Sequence, residues 1–326
     1  MSTNFKFDKK LVGTLRHPDL KMAKAYGRSL KLRNYTTDKQ KIMLILVDPQ
    51  LGFIEKGRDL CVPGAIEDMI RIVEWILKHM ARITRISASM DSHLPFQIFF
   101  PDWFVDEHGQ PLNDFTIVTL QDLKDKKVRA IFDFQYEYEK GKTMLWSEYY
   151  VTMLEQFGKK TSTGAGDFEK KNLMLWANHC MLGTPEQAIE PTVYEAIFAH
   201  AIARKSQPKF KVKGAGEVYE NYSIVEGEVE YAGDKDSGID EDFLMDLKKY
   251  DLIYIAGEAS SHCVLETIYS IIRYFQNDAS DILSRIRIME DCTSPVGGFE
   301  DMAKQAFQAL SLVYGLKLVK STDPIG

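Results

Sequence analysis

Residues 42–47, IMLILV, form an apolar run with no alternation, the pattern of a central strand covered on both faces. The run stops at Asp48-Pro49-Gln50. Over 65–80 the period changes: Ile66, Met69, Ile70, Val73, Ile76 and Leu77 recur at helical spacing, which predicts a helix with one apolar face. A strand over 83–89 follows and leads into Met90-Asp91-Ser92-His93. Beyond a helix at 192–203, the alternation Lys209-Phe210-Lys211-Val212-Lys213 predicts a strand with three lysines on one face. Residues 251–256 read as a buried strand, then small and polar residues make a turn, and 264–276 is helical. A strand at 285–289, a helix at 299–313 and a last strand at 316–319 complete the pattern. Strands alternating with helices predict an α/β fold: a doubly wound, mainly parallel β-sheet with helices on both faces.

Three stretches depart from that alternation. Residues 1–40 form a basic N-terminal extension, opposed only by Asp8, Asp19 and Asp38, while 41–326 carries the domain itself. Such an arm could meet an acidic partner, or pack on its own or a neighbouring subunit. Residues 102–171 are dense in aromatics and charges and read as an inserted subdomain, with a hairpin and a helix near 147–157. Its aromatics, among them Trp103, Phe132, Phe134, Tyr136, Trp146 and Tyr150, suit a small core or a subunit contact, or a wall over a site. The acidic stretch 226–242 reads as an exposed excursion.

Composition narrows the function classes. A net charge of −6 argues against nucleic acid as the main partner. No segment is long and apolar enough to span a bilayer, and the N-terminus lacks an apolar signal core, so no membrane role and a cytoplasmic location are expected. Cys61, Cys180, Cys263 and Cys292 are widely spaced and suggest neither a disulfide framework nor a zinc ribbon.

Candidate chemistry sits at predicted strand ends. Cys263 falls between a strand and a helix, where unpaired N–H groups of the first helical turn favour a thiolate, so it is the candidate nucleophile; a small buried thiol is the plainer reading. Asp48, at the end of the first strand, is a candidate general base or a turn-forming residue before Pro49. Asp91 and His93, two apart on an extended segment, point to one side, as two ligands of one metal ion require; solvated turn residues would look the same. His179 lies in the loop Leu175 to Pro185, and Lys213 ends an edge strand from which it could reach a crevice. His262 invites a dyad with Cys263, although neighbours in a turn seldom face each other.

Taken together, VDPQLGF (47–53), CVPGA (61–65), DSH (91–93), LWANHCMLGTP (175–185), KG with YS (213, 214, 222, 223) and GEASSHCV (257–264) resemble the isochorismatase-like cysteine hydrolases, and within them the nicotinamidases. The resemblance runs over 42–320 apart from the insertion. It implies a catalytic triad of Asp48, Lys213 and Cys263, acting on a small-molecule amide through a thioester. It further implies an oxyanion hole from the backbone of Ala259 and Cys263, with a cis peptide between Glu258 and Ala259. Asp91, His93 and His179 would hold one divalent metal ion, zinc in the first place, with iron or manganese as alternatives. Phe53, Trp176 and Tyr222 would line the pocket of a planar ring, and a homo-oligomer is expected.

The chain also departs from that pattern. Gln97, Ile98 and Phe99 stand where some relatives carry a further histidine, Glu258 stands where an apolar residue is usual, and Ser261 where an aspartate is common. A hydrolase of another small amide or ureide, and a non-catalytic binding or redox protein on the same fold, are the competing readings.

Overall fold

The computed structural model describes residues 5–131, 142–158, 170–278 and 281–326. Strands β1 (Ile42–Val47), β2 (Arg85–Asp91), β3 (Lys209–Lys213), β4 (Leu252–Gly257), β5 (Ile286–Met289) and β6 (Lys317–Val319) form one parallel sheet in the order β6-β5-β4-β1-β2-β3. Every residue of β1 and β4 is buried, which accounts for their unbroken apolar runs. The longer helices are α1 (Leu20–Ser29), α2 (Ala65–His79), α3 (Lys142–Thr152), α4 (Pro191–Arg204), α5 (Cys263–Phe275) and α6 (Glu300–Tyr314).

From β1 the chain builds the sheet outward through β2 to β3, then returns to the other side of β1 to lay down β4, β5 and β6. Right-handed crossovers in opposite directions put their helices on opposite faces. Accordingly α2 packs with α4, and α5 packs with α6. This is the doubly wound α/β fold that the hydrophobic pattern predicts. The reversal lies between β1 and β4, which makes the crevice beyond their C-terminal ends the natural ligand site.

Several expectations are corrected. β2 begins at Arg85 rather than at 83, because the Ile83 N–H bonds back to the His79 carbonyl at the end of α2 (3.1 Å). It then extends to Asp91, which therefore belongs to the strand. The three lysines of the one β3 face are each paired: Lys209 with Asp246 at 2.8 Å, Lys211 with Asp240, and Lys213, which turns inward, with Asp48 at 2.9 Å. Residues 226–242 are not wholly exposed, since Gly227, Glu228, Val229 and Ser237 are buried.

In the inserted region α3 begins at Lys142, ahead of the expected 147–157 helix, and continues as a single wider turn over Met153–Phe157. Short antiparallel pairs join Phe104–Asp106 to Val128–Ala130 and Ile117–Val118 to Leu173–Met174. Trp103, Phe104 and Tyr150 are buried, and Trp103 Nε1 donates to Ser147 Oγ at 3.1 Å. The aromatic run 132–136, Gly141 and the polar stretch 159–166 lie outside the described residues.

The N-terminal segment packs on its own chain. Helix α1 lies along α4, with Ala23 and Gly27 buried. Arg16 binds Glu195 and Thr192 of α4, the latter at 2.8 Å. At Gly27 a Cβ would stand 2.5 Å from the Ala199 carbonyl oxygen, so the two backbones approach to a distance only glycine permits. Gly27→Leu is therefore expected to lower stability by about 1–3 kcal/mol through overpacking, read as a fall in the urea midpoint. An unchanged midpoint would show that α1 does not share the cooperative unfolding unit.

Candidate active site

The strand ends bring the candidate residues together. Asp48 directly follows β1 with a left-handed φ of 44°, an uncommon conformation for a non-glycine residue and one that concentrates at functional sites. Asp91 ends β2 and Lys213 ends β3, and the two are register partners. Cys263 opens α5, just beyond β4.

Lys213 Nζ lies 2.9 Å from Asp48 Oδ2, 3.2 Å from Asp91 Oδ1 and 3.7 Å from Cys263 Sγ, and donates to the Asn221 carbonyl at 2.8 Å. Ser89 Oγ donates to Asp48 Oδ1 at 2.6 Å. All four chemical groups are buried. Burial, helped by Asp91, raises the Asp48 pKa, although Lys213 opposes it. Burial alone would lower Lys213, but Asp48 and Asp91 hold it well above the ordinary lysine range, so it stays charged.

Cys263 corrects a sequence expectation. Its place at a helix N-terminus suggested a resting thiolate, yet burial, with Asp48 and Asp91 adding to it, pushes the thiol well above its ordinary range despite Lys213. The resting group is a thiol, with a carboxylate oxygen of Asp48 within 4.8 Å of it. A proton acceptor is needed to make it a nucleophile, and Asp48 stands in contact to serve.

A second cluster shares Asp91. His93 Nε2 is 3.0 Å and His179 Nε2 3.9 Å from Asp91 Oδ2. Each histidine turns its other nitrogen to a backbone carbonyl: His93 Nδ1 to Gly214 at 3.1 Å, His179 Nδ1 to Ala177 at 2.7 Å. Donation there leaves both Nε2 lone pairs facing the carboxylate, the arrangement of metal-ligating histidines. His93 Nε2 is buried with no hydrogen-bond partner among the described residues, and the donor atoms of the trio lie within 4.8 Å of one another. Burial, then His93, pushes His179 down to about 3, so its lone pair is available. These donors fit one divalent cation of the zinc, iron or manganese type. Asp48, Asp91 and Cys263 also converge within 4.8 Å, but the Lys213 ammonium already fills that position as its cation.

Gln97 is turned away from the trio: its Nε2 donates to the Gly214 and Gly216 carbonyls, both at 2.7 Å, and its Oε1 accepts from the Leu94 N–H at 2.9 Å. It fixes the carbonyl that orients His93 and adds no ligand.

The Glu258–Ala259 peptide is cis, and among the described residues neither the Ala259 nor the Cys263 N–H donates to a protein acceptor. The ring candidates divide into two walls. Phe53 stacks beside His179 with centroids 5.5 Å apart, and Trp176 Nε1 donates to the Tyr222 hydroxyl at 2.7 Å. The His262 ring packs against Trp176, Tyr222 and Phe299, and its Nδ1 lies 2.8 Å from Ser261 Oγ. Burial, then Lys171, pushes His262 down to about 3, so it stands as a neutral wall of the cleft.

Sequence reasoning passed over the supporting residues. Gln50 holds both sides of the Asp91 backbone, its Nε2 donating to the Asp91 carbonyl at 2.7 Å and its Oε1 accepting the Asp91 N–H at 2.6 Å. Ser89 and Lys171, which binds Glu228 and Glu266, were likewise missed. Gln50 follows Asp48 by two residues, and Ser89 lies on the strand next to it; only knowledge of the strand order makes either visible.

Comparison with protein-family models finds no match, and comparison with curated protein sequences finds none. Solved structures do match. The chain is similar to a nicotinamidase/pyrazinamidase of Acinetobacter baumanii, at 16% identity over 88% of this chain and 99% of that one, with a TM-score of 0.52. It is similar to the yeast nicotinamidase bound to the inhibitor nicotinaldehyde, at 16% identity over 86% of this chain and 99% of that one, with a TM-score of 0.54. At such identity the likeness shows the fold.

The metal trio makes a direct prediction. One equivalent of a divalent ion should bind by titration calorimetry. His93→Ala should weaken it by more than the roughly 10–100-fold that loss of an outer partner costs, and Gln97→Ala by about tenfold. Unchanged binding in a double Asp91→Ala, His93→Ala variant would place the ion elsewhere.

Proposed function

We propose that this chain is a cysteine amidohydrolase that cleaves a small carboxamide through a thioester on Cys263, with nicotinamide as its first candidate substrate. The observation that carries the reading is the buried cluster of Asp48, Lys213 and Cys263 in the crevice where the sheet reverses direction. The structural likeness to nicotinamidases supports it through the fold.

An amide is a poor electrophile with a poor leaving group, so the site has to supply a strong nucleophile, an acid for the amine and donors for the oxyanion. Asp48, whose proton affinity is raised by burial, accepts the Cys263 proton as Sγ attacks the carbonyl carbon. Lys213 holds the newly formed thiolate by charge and keeps Asp48 in place. The backbone N–H groups of Ala259 and Cys263 face the oxyanion. Asp48 then returns its proton to the amine, the C–N bond breaks and ammonia leaves. Water, deprotonated by Asp48, attacks the thioester; the acid departs and the proton goes back to Sγ. Asp91, His93 and His179 would hold the divalent ion, which supplies a Lewis-acid contact for a ring nitrogen or a water and so orients the substrate. Phe53, Trp176 and Tyr222 offer flat walls suited to a heteroaromatic ring.

A larger carboxamide is the second reading. A cleft of about 500 Å³, lined among the described residues by Trp176, Tyr222, His262, Tyr269, Phe299 and Met302, opens beside the residue that precedes Cys263. Space on that scale accommodates ligands larger than a pyridine carboxamide.

The test is ammonia release from a carboxamide panel headed by nicotinamide. Cys263→Ala and Asp48→Asn should each lose more than about 10³-fold in kcat, and rapid quenching of the wild type should trap an acyl adduct on Cys263 by mass spectrometry. Full turnover by Cys263→Ala would exclude the covalent route.

A further inference from the structure

Behind the oxyanion segment lies a buried pair of carboxyl groups that the chemistry above does not use. Glu258 is fully buried immediately before Ala259. Its Oε2 accepts the Ser294 N–H at 3.2 Å, and its Oε1 has no donor among the described residues. Asp68, on α2, is also buried; its Oδ1 accepts from Arg71 Nη2 at 2.8 Å, and its Oδ2 has no hydrogen-bond donor among the described residues. The two carboxyls stand within hydrogen-bonding reach of each other, with the Ser294 hydroxyl beside Asp68. Two spare acceptor oxygens in contact away from water are satisfied by one proton held between them, whereas two carboxylates would repel.

We propose that Glu258 is a positioning residue: as a neutral acid donating to the Asp68 carboxylate, it clamps the segment 257–263 to α2 and so holds the Ala259 N–H where an oxyanion forms. The part that concerns catalysis rests on the amidohydrolase reading; the shared proton does not. The backbone around it is tied in the same direction. The Glu258 N–H donates to Val47 at 2.8 Å, Gly257 to Cys292 at 3.0 Å and Ser260 to Ser294 at 2.9 Å, and the Val296 N–H donates to Ser261 Oγ at 3.0 Å. The Glu258 side chain carries this stitching across to Asp68 on α2.

The groups facing the pair leave the proton as its natural partner. Arg71 is the cation from α2, and it already serves Asp68 and the Asp291 carbonyl. The Asp291 carboxylate is taken by Ser321, at 2.8 Å from its N–H and 2.7 Å from its hydroxyl. Burial raises the thiols of Cys61, from the loop before α2, and Cys292, beyond β5, so neither adds a charge near neutrality. Burial, then Asp68, pushes Glu258 well above the ordinary carboxyl range.

The sign of the linkage follows. A carboxyl that holds its proton more tightly folded than unfolded makes stability fall as pH rises from its unfolded pKa of about 4.3 toward its folded one. Glu258→Gln keeps a donor to Asp68 but has no proton to lose. Its melting temperature relative to wild type should therefore climb by about 2 °C or more between pH 5 and pH 8. Hydrogen exchange of the peptide spanning 257–263 should stay slow in Glu258→Gln and quicken in Glu258→Ala. On a cleaved amide at pH 7, Glu258→Gln should keep kcat within about twofold, while Glu258→Ala loses about tenfold in kcat with KM little moved, less than outright loss of an oxyanion donor costs. The activity of Glu258→Gln should also persist to higher pH than that of wild type. Parallel melting curves of wild type and Glu258→Gln across pH, or a glutamine variant as damaged as the alanine one, would overturn the proposal. If wild type cleaves no amide, the hydrolase reading fails while the melting and exchange comparisons still decide the clamp.

Discussion

Everything at the centre of this molecule depends on one buried cation. Lys213 lies between Asp48 and Asp91 with Cys263 in contact, away from water. A charge in that position is tolerated only when paired, and removing one partner of a buried pair costs about 3–5 kcal/mol because the other is left uncompensated. Strand order provides the pairing, since β3 beside β2 puts Lys213 in register with Asp91, and β2 beside β1 brings Asp48 within reach. Close approach then restricts the backbone. A Cβ on Gly214, at φ 86°, would stand 2.2 Å from Asp91 Oδ1, and one on Gly257, at φ 114°, would stand 2.0 Å from the Val47 carbonyl oxygen.

The same cation divides the labour of the two aspartates. Both are buried, yet Asp48 is pushed up and Asp91 is held low. For Asp91 burial works upward, but His93 and Lys213 outweigh it, whereas Asp48 feels burial and the neighbouring Asp91 charge with Lys213 as its cation. The result is one carboxyl suited to exchanging a proton and one suited to remaining an anion. That is the asymmetry the proposed thiol hydrolysis beside a cation site calls for.

Hydrophobic periodicity made the sheet and its long helices legible, because β1 and β4 are apolar throughout and α2 carries a regular stripe. The site residues were legible as strand-end positions, since Asp48, Asp91, Lys213 and Cys263 each punctuate an apolar element. Their electrostatics were not. Helix position suggested a thiolate at Cys263, while burial and two carboxylates, contributed by strands distant in sequence, decide for the thiol. The pairing of the edge lysines was hidden for a related reason: of their acidic partners, Asp240 caps and Asp246 lies on a helix later in the chain, Glu241–Leu247. Glu228 likewise carries no local sign of burial, because the lysine that covers it comes from another part of the chain.

That lysine bears on what an insertion is. Lys171, at the end of the segment that interrupts the α/β pattern, is half-buried beside the acids Glu228 and Glu266 and lies 5.2 Å from the Tyr222 ring centroid. Burial alone would lower its pKa, but the two glutamates hold it up, so it remains the cation of that group. Glu266 lies in the first turn of α5, the helix that Cys263 opens. Glu220 is pushed well above the ordinary carboxyl range by burial and by Glu228, and accepts from the Tyr222 hydroxyl, which in turn accepts from Trp176. Removing Lys171 would leave two buried carboxylates without their cation beneath one wall of the cleft and against α5. The segment that Lys171 ends is thus bound energetically to the cleft, because its ion pairs reach both α5 and the neighbourhood of Tyr222.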